Sequence, residues 1–365
     1  FKWTNLASHN AGVTVVIVAI SNTPAPTRQL FAVADDGSTV AKAVEQINAY
    51  LVPGANVVVD KAMRPLGGQS EMSFGNKPVD GGHLLLTRDE ADALRLNHAQ
   101  RQRFVRRIYG SAEFIRGLEL YCLWIKDARV KEALMIIGIA LRVESVRAMR
   151  LASPKGATKD AANTPHKFGE VRQTGDETVL VIPIHTSETR PYLPVGLLPK
   201  GDVINNANLA LYDAPLWNMA LIASRLHLVW IATVCGKLKT DFRYSNTLGW
   251  NTFPVPFLTE QNKADLTRCA ENILLAREVH FPASIADLYD PEAMPDNLRA
   301  AHAHNDEVLE RIYIGRRFKN DTERLEKLFQ LYTQMTATTP ASAATSKGSS
   351  TKPKPARKTT RSKPV

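Results

Sequence analysis

The first strong pattern along the chain is Ala11–Ile20 (AGVTVVIVAI), a nearly continuous, β-branched apolar run. Such a run predicts a strand covered on both faces, as in the sheet of an α/β domain. A proline-punctuated break at 22–27 follows. Val40–Tyr50 then predicts a helix, and Val57–Asp60 a short strand after the Pro53-Gly54 turn. Residues 64–83 are rich in Gly, Pro and polar groups and predict a loop or linker. Thr87 with Glu90 spells a capping box opening a helix to about Arg107. Ser111 opens another, with Phe114, Leu118, Tyr121 or Cys122, and Ile125 on one stripe. Val130, Leu134, Ile137 and Leu141 mark a third. Strand-like runs come next at 167–172, 178–184, 192–198 and 203–211. Asp213 then caps a buried helix reaching Val234, stopped by Gly236. Residues 237–258 alternate until Pro254 and Pro256 break them, and helices are expected over 260–281, 295–314 and 321–335. The last thirty residues, of Ser, Thr, Lys, Pro and Ala, predict a disordered tail.

Composition narrows the class. The chain has 365 residues, 44% of them hydrophobic, enough for real cores and for more than one domain. Its net charge of +10 suggests a polyanion partner, but residues 336–365 hold seven of the 46 basic residues and no acid. The rest carries 39 bases against 36 acids, so the broad surface is nearly balanced and any basic face must be local. Cys122, Cys235 and Cys269 lie far apart, form neither a disulfide framework nor a zinc pattern, and point to a reducing, cytoplasmic setting. Leu216–Val234, the longest apolar stretch, is interrupted by Asn218, Arg225 and His227, which argues against a membrane span. The chain begins at Phe1 rather than Met and runs straight into strand-like sequence, so it reads as a piece of a longer protein.

The common catalytic motifs are missing. No two glycines are spaced G-x-G, no prolines are adjacent, and neither G-x-x-x-x-G-K nor G-x-S-x-G occurs. No Asp or Glu precedes a Lys by two positions. His302 and His304, two apart on an expected surface helix, point in different directions and cannot share a metal. No catalytic, cofactor-binding or metal-ligating residue is therefore assigned. His227, inside the buried helix, reads as a satisfied core histidine.

Ten segments in order resemble the C-terminal part of the MmeI-like, type IIL restriction–modification enzymes. They are FKWTNLASHNAGVTVVIVAI, YLVPGANVVVDKAMRPL, MSFGNKPVDGGHLLL, RRIYGSAEFIRGLELYCLWI, TPHKFGEV, SETRPYLPVGLL, NNANLALYDAPLWNMALIASRLHLVW, GKLKTDFRYSNTLGWNTFPVPFL, LYDPEAMPDNLRAAH and ERLEKLF. The resemblance implies an α+β protein in several parts. Residues 1–60 would be the trailing edge of an α/β methyltransferase fold, and 61–252 a mixed α/β target recognition domain. Residues 253–335 would be a helical C-terminal region, and 336–365 a free basic tail. The implied parent activity is transfer of a methyl group from S-adenosylmethionine to adenine in a defined duplex sequence. The family's donor-binding and catalytic loops are not in this chain, so no cofactor is expected for it alone. Its expected partners are double-stranded DNA and a methyltransferase or nuclease portion supplied upstream or in trans.

Each segment also has a residue-level reading. An adenine is methylated outside the stack, held against an aromatic face, and Phe1 or Trp3 is the candidate; the plainer reading is a packed strand edge. KLKTDFRYS gathers Lys237, Lys239, Arg243 and Tyr244 beside Asn246. As a strand it puts Lys237 and Lys239 on one face, joined by Arg243 if alternation persists. Such a face suits phosphates and guanine edges, or simply a solvated edge strand. Arg190, in SETRPYLPVG behind His185 and Thr186, is a further DNA candidate or part of a packing loop. Arg103, Arg106 and Arg107 share a face if helical, a solvated face or a phosphate clamp. The alternatives in other classes are a stand-alone specificity subunit, an inactive gene fragment, and an RNA-binding or scaffold protein.

Overall fold

The computed structural model describes residues 2–3, 13–14, 16–23, 27–33 and 39–338. At the N-terminal end β1 (Lys2–Trp3) pairs antiparallel with β2 (Val13–Thr14). β3 (Arg28–Val33) and β4 (Thr39–Val44) form a hairpin registered from Arg28↔Val44 to Val33↔Thr39. The long strand expected over 11–20 is thus only two residues of ladder. Val16, Ile17, Val18 and Ile20 are extended and 61–94% exposed. A β-branched run becomes a central strand only when strands flank it, and no described residue does so. The helix expected from Val40 is a strand as far as Val44, because Thr39, Val40 and Val44 find partners across the hairpin. Val57–Asp60 makes no ladder. The amides of Val59 and Asp60 instead donate to the hydroxyls of Tyr50 (2.9 Å) and Tyr332 (3.3 Å).

The next stretch runs β5 (Ser73–Phe74), β6 (Leu85–Leu86), α1 (Arg88–Ala93), α2 (His98–Phe104), β7 (Val105–Tyr109), α3 (Ser111–Arg116) and β8 (Tyr121–Leu123). Thr87 and Glu90 close the expected capping box. The helices are shorter than their apolar stripes suggest. α2 gives way to β7 at Val105, so Arg106 and Arg107 are strand residues and share no helical face with Arg103. α3 stops where Gly117 turns left-handed (φ 69°), a conformation that costs glycine nothing. Then come α4 (Val130–Leu134), α5 (Ile137–Ala152) and α6 (Gly156–Asp160), followed by β9 (Val179–Pro183), β10 (His185–Thr186), β11 (Gly196–Leu198), β12 (Val203–Ile204) and β13 (Asn208–Tyr212). Residues 167–172 form no strand. Arg150 of α5 is fully buried without a carboxylate. Its guanidinium donates to the carbonyls of Pro78, Val79, Ala161, Thr164 and Lys167 at 2.7–3.2 Å.

α7 (Trp217–Ile222) and α8 (Arg225–Val234) replace the single helix expected from Asp213. Asp213 itself has φ 46° and accepts from Thr178 rather than capping a helix. Ser224 breaks the helix, its hydroxyl accepting from the His227 amide as a new N-cap. β14 (Gly236–Leu238), β15 (Asp241–Arg243), a wide turn over Asn246–Trp250, α9 (Glu260–Glu278), α10 (Ile285–Leu288), α11 (Asp296–Ile314) and α12 (Asp321–Thr338) complete the chain. The three long C-terminal helices match their expected spans closely.

The strands form three sheets beyond the N-terminal pairs: β11-β9-β13-β5, antiparallel; β12-β7-β8-β6, with β12 parallel to β7; and β10-β15-β14. The largest core joins β9 and β13 (Leu180, Ile182, Leu209, Leu211) to α7 and α8. It continues into the C-terminal helices through Leu266, Ile273, Leu298, Leu309 and Leu328. Mixed helix and several sheets agree with the α+β expectation. The sheet and the C-terminal helices share one apolar interior, so each sets the other's geometry.

Candidate nucleic-acid interface

The small sheet β10-β15-β14 carries most of the candidate residues. β14 and β15 are joined through Lys239, at φ 58°. Their register is Gly236↔Arg243, Lys237↔Phe242 and Leu238↔Asp241, and β10 adds His185↔Arg243 and Thr186↔Phe242. Residues paired across an antiparallel ladder point to the same face. Lys237 therefore shares the inner face with buried Phe242 and Thr186. Its ammonium lies 5.3 Å from the Phe242 ring centroid and 3.1 Å from Glu188. Arg243 lies on the outer face with His185 and Leu238, all exposed. The expectation that Arg243 would join Lys237 is corrected, because the turn at Lys239 intervenes and resets the alternation.

Two further candidates are structural. Tyr244 is buried (3% exposed). Its amide donates to the Ile184 carbonyl (2.7 Å), and its hydroxyl meets His227 Nε2 at 2.7 Å. Its ring cannot reach a ligand, so a direct contact role for it is withdrawn. Burial pushes its hydroxyl well above the usual range and holds His227 neutral, down to about 3. His227 is the core histidine expected, edge-on to Tyr244, Trp250 and Phe253, although its Nδ1 has no partner. Asn246 donates to the Met72 carbonyl (3.1 Å) and tethers the wide turn to β5's approach. Together these contacts seat the hairpin on the core.

Arg190 sits in the 187–191 strap leaving β10. It is half-buried and donates to Thr186 Oγ1 (3.0 Å). Burial lowers its pKa, while the fields of Asp241 and Asp290 oppose that. Arg190, Lys239 and Arg243 have no carboxylate within 4 Å among the described residues, unlike Lys237. A half-buried guanidinium without a direct ion pair keeps its donors available to an anion. Phe1 lies outside the described residues. Trp3 is described only as backbone, paired with Val13 in β1.

Sequence reasoning misses two things. Glu188, the neutraliser of Lys237, is 49 residues away in sequence. Tyr192, which ends the strap, is anchored by α11. His302 of α11, expected on the surface, is fully buried: its Nε2 meets Tyr289 Oη (2.8 Å) and its Nδ1 the Ala223 carbonyl (3.1 Å). The helix packs on α9 and α8, so its apolar stripe is wider than the sequence suggests. Among the described residues no three His, Cys, Asp or Glu side chains are grouped to hold a metal, and no helix is long and apolar enough to cross a membrane.

The sheets, the shared core and the cationic hairpin fit the architecture of a target recognition domain fused to a helical domain. The family models agree: the MmeI target recognition domain matches residues 53–257 and the MmeI C-terminal domain residues 258–339. The chain belongs to the MmeI family, in keeping with its ordered segments. DNA methyltransferase A of Bacillus subtilis (strain 168) is 35% identical over 337 residues, 92% of this chain and 38% of that protein. The solved structure of the type IIL restriction–modification enzyme MmeI in complex with DNA matches with a TM-score of 0.77 at 30% identity. That match covers 92% of this chain and 45% of that one. The chain thus spans less than half the length of either relative.

Proposed function

We propose that this chain is the DNA-recognition portion of a site-specific adenine methyltransferase of the type IIL restriction–modification class. In this reading it grips duplex DNA while a methyltransferase portion, upstream or in trans, performs the transfer in the cytoplasm. The observation that carries it is the trio Arg190, Lys239 and Arg243, none within 4 Å of a carboxylate among the described residues, on the strap, the turn and the outer face of a small sheet seated by Tyr244, in a chain resembling a DNA-bound relative. Residues 61–252 act as the recognition domain, 253–335 as its helical support and 336–365 as a sequence-blind basic tail. Residues 1–60 act as the trailing edge of the methyltransferase fold. The exposed apolar run Val16–Ile20, with Phe31 and Val40 of the hairpin, supports a missing sheet there. Within that edge, Phe1 or Trp3 is the proposed stacking surface for the extruded adenine, tested by alanine at both in the whole enzyme.

S-adenosylmethionine is the donor that family membership implies for the whole enzyme. Among the described residues one cavity, about 490 Å³, lies between Trp124 and Phe168, and the carboxylates at its rim are paired, Asp127 with His166 and Lys167 and Asp176 with Lys126, pairs that a ribose would have to displace. The test of the reading is duplex binding as a function of salt. Each lost phosphate contact lowers the slope of log K against log salt by ~0.9, so R190A/K239A/R243A should flatten it by roughly 2 to 3. An unchanged slope refutes the assignment of these three residues.

A further inference from the structure

The strap that carries Arg190 is tied at its own level by the Glu188–Lys237 pair and by Arg190's bond to Thr186 Oγ1, both of them side-chain contacts. It leaves the sheet at Thr186, and Arg190's amide makes only a long bond to the Ser187 carbonyl (3.4 Å). Its far end is fixed by Tyr192. The Tyr192 ring stacks on the His302 imidazole, centroids 4.1 Å apart and 17° from parallel. Its hydroxyl donates to Asp306 Oδ2 at 2.9 Å. His302 and Asp306 are four residues apart on α11 and so share a face.

That face is itself rigidly built. His302 is buried and neutral, so with its Nδ1 donating to the Ala223 carbonyl its Nε2 accepts from the Tyr289 hydroxyl. Tyr289 in turn accepts from Arg277 Nε (2.9 Å), and Arg277 Nη1 donates to the Val195 carbonyl (2.6 Å). Asp306 is only 6% exposed. Its second oxygen, Oδ1, accepts from the Arg225 amide (2.7 Å), at the N-terminus of α8, where a helix favours negative charge. A carboxylate held at both oxygens, beside an imidazole held at both nitrogens, gives this face one arrangement. It passes that arrangement to Tyr192 and, two residues back, to Arg190.

We propose that His302 and Asp306, on a helix of the stretch matching the C-terminal domain model, are positioning residues for DNA recognition that act through Tyr192 to aim Arg190. The proposal rests on the reading of Arg190 as a DNA contact. A helical region that touches no base would then set the affinity of the recognition sheet. Loss of one charge-assisted hydrogen bond at the strap's anchor should cost about tenfold in DNA binding.

The test uses the full chain and a random-sequence duplex followed by fluorescence anisotropy at low salt. Y192F keeps the ring and its stack and deletes only the hydroxyl; it should bind about tenfold more weakly. R190A should lose at least as much. R190A/Y192F should bind like R190A, because Tyr192 works only through that guanidinium. D306N keeps a hydrogen bond to both the Arg225 amide and Tyr192 and should bind near wild type, whereas D306A should match Y192F. Wild-type-like binding by Y192F or by R190A overturns the proposal, as do independent, additive losses in the double variant. A wild-type chain that ignores duplex altogether overturns the DNA-recognition reading itself; wild-type binding that Y192F leaves intact overturns the positioning role alone.

Discussion

Asp306 should impose a measurable pH dependence on folding. Its carboxylate is buried against Tyr192, the Arg225 amide, Glu310 and Arg324, and burial, the largest influence, pushes its pKa up from 3.8 to about 6. A folded-state pKa above the unfolded one means that the folded chain binds the proton more tightly. The contribution of this group is therefore favourable at low pH, declines as pH rises from about 4 to about 6, and stays low above that. Two pKa units at 1.36 kcal/mol each set the size at about 3 kcal/mol. D306N mimics the protonated acid in shape and has nothing to titrate. It should therefore be more stable than wild type at pH 7, by up to about 3 kcal/mol, and equal to it near pH 4. Urea unfolding followed by tryptophan fluorescence at a series of pH values measures both. Groups not coupled to Asp306 cancel in the difference between the two proteins. A flat difference, or one that grows toward acid, would refute the account of Asp306 as a buried charge held at a cost.

Three other outcomes follow from contacts described above. R150M removes five hydrogen bonds and takes the donor from the Val79 and Lys167 carbonyls, the other three keeping a backbone amide, and should cost about 2–4 kcal/mol in the same unfolding assay, with R150K intermediate because an ammonium has three donors rather than five; a loss under about 1 kcal/mol would show that water satisfies those two carbonyls readily. Y244F leaves His227 Nε2 without its partner and should cost about 1–3 kcal/mol, and hydrogen exchange should rise at β14 and β15 before it rises elsewhere. G75A should be worse than an ordinary alanine substitution, because a Cβ there would sit 2.3 Å from the Asn205 carbonyl oxygen, which belongs to backbone and cannot swing away; unimpaired folding on thermal denaturation would contradict that close approach.

Legibility in the sequence follows the length of the elements. α9 and α11 are readable nearly to the residue, since each has several turns of amphipathic pattern and a local stop signal. Thr259 caps α9 and left-handed Gly315 ends α11. Periodicity misleads over residues 98–125, because Phe114, Leu118 and Cys122 satisfy a helical spacing while the chain makes two short helices and two short strands there. Gly117 is the local signal that outweighs the stripe. The hairpin is legible as basic and alternating, yet simple alternation mis-pairs its faces, because a turn residue at positive φ does not announce itself when it is a lysine. The Tyr192–Asp306 bond spans 114 residues, and no local pattern encodes it. The buried positions of His302 and Tyr244 depend equally on distant packing partners.

The interruption between α7 and α8 bears on how such proteins can be recombined. At Ser224 the chain gives up helical hydrogen bonds, and two of the groups it exposes, the Ala223 carbonyl and the Arg225 amide, are met by His302 and Asp306 from the other module. The seam is thus stitched with side chains rather than closed by apolar contact alone. A chimera that joins one member's first 257 residues to another's helices inherits a correct seam only if the incoming helix brings a histidine and an acid in the same frame. Exchanging the sheet between relatives therefore means exchanging that stretch of α11 along with it.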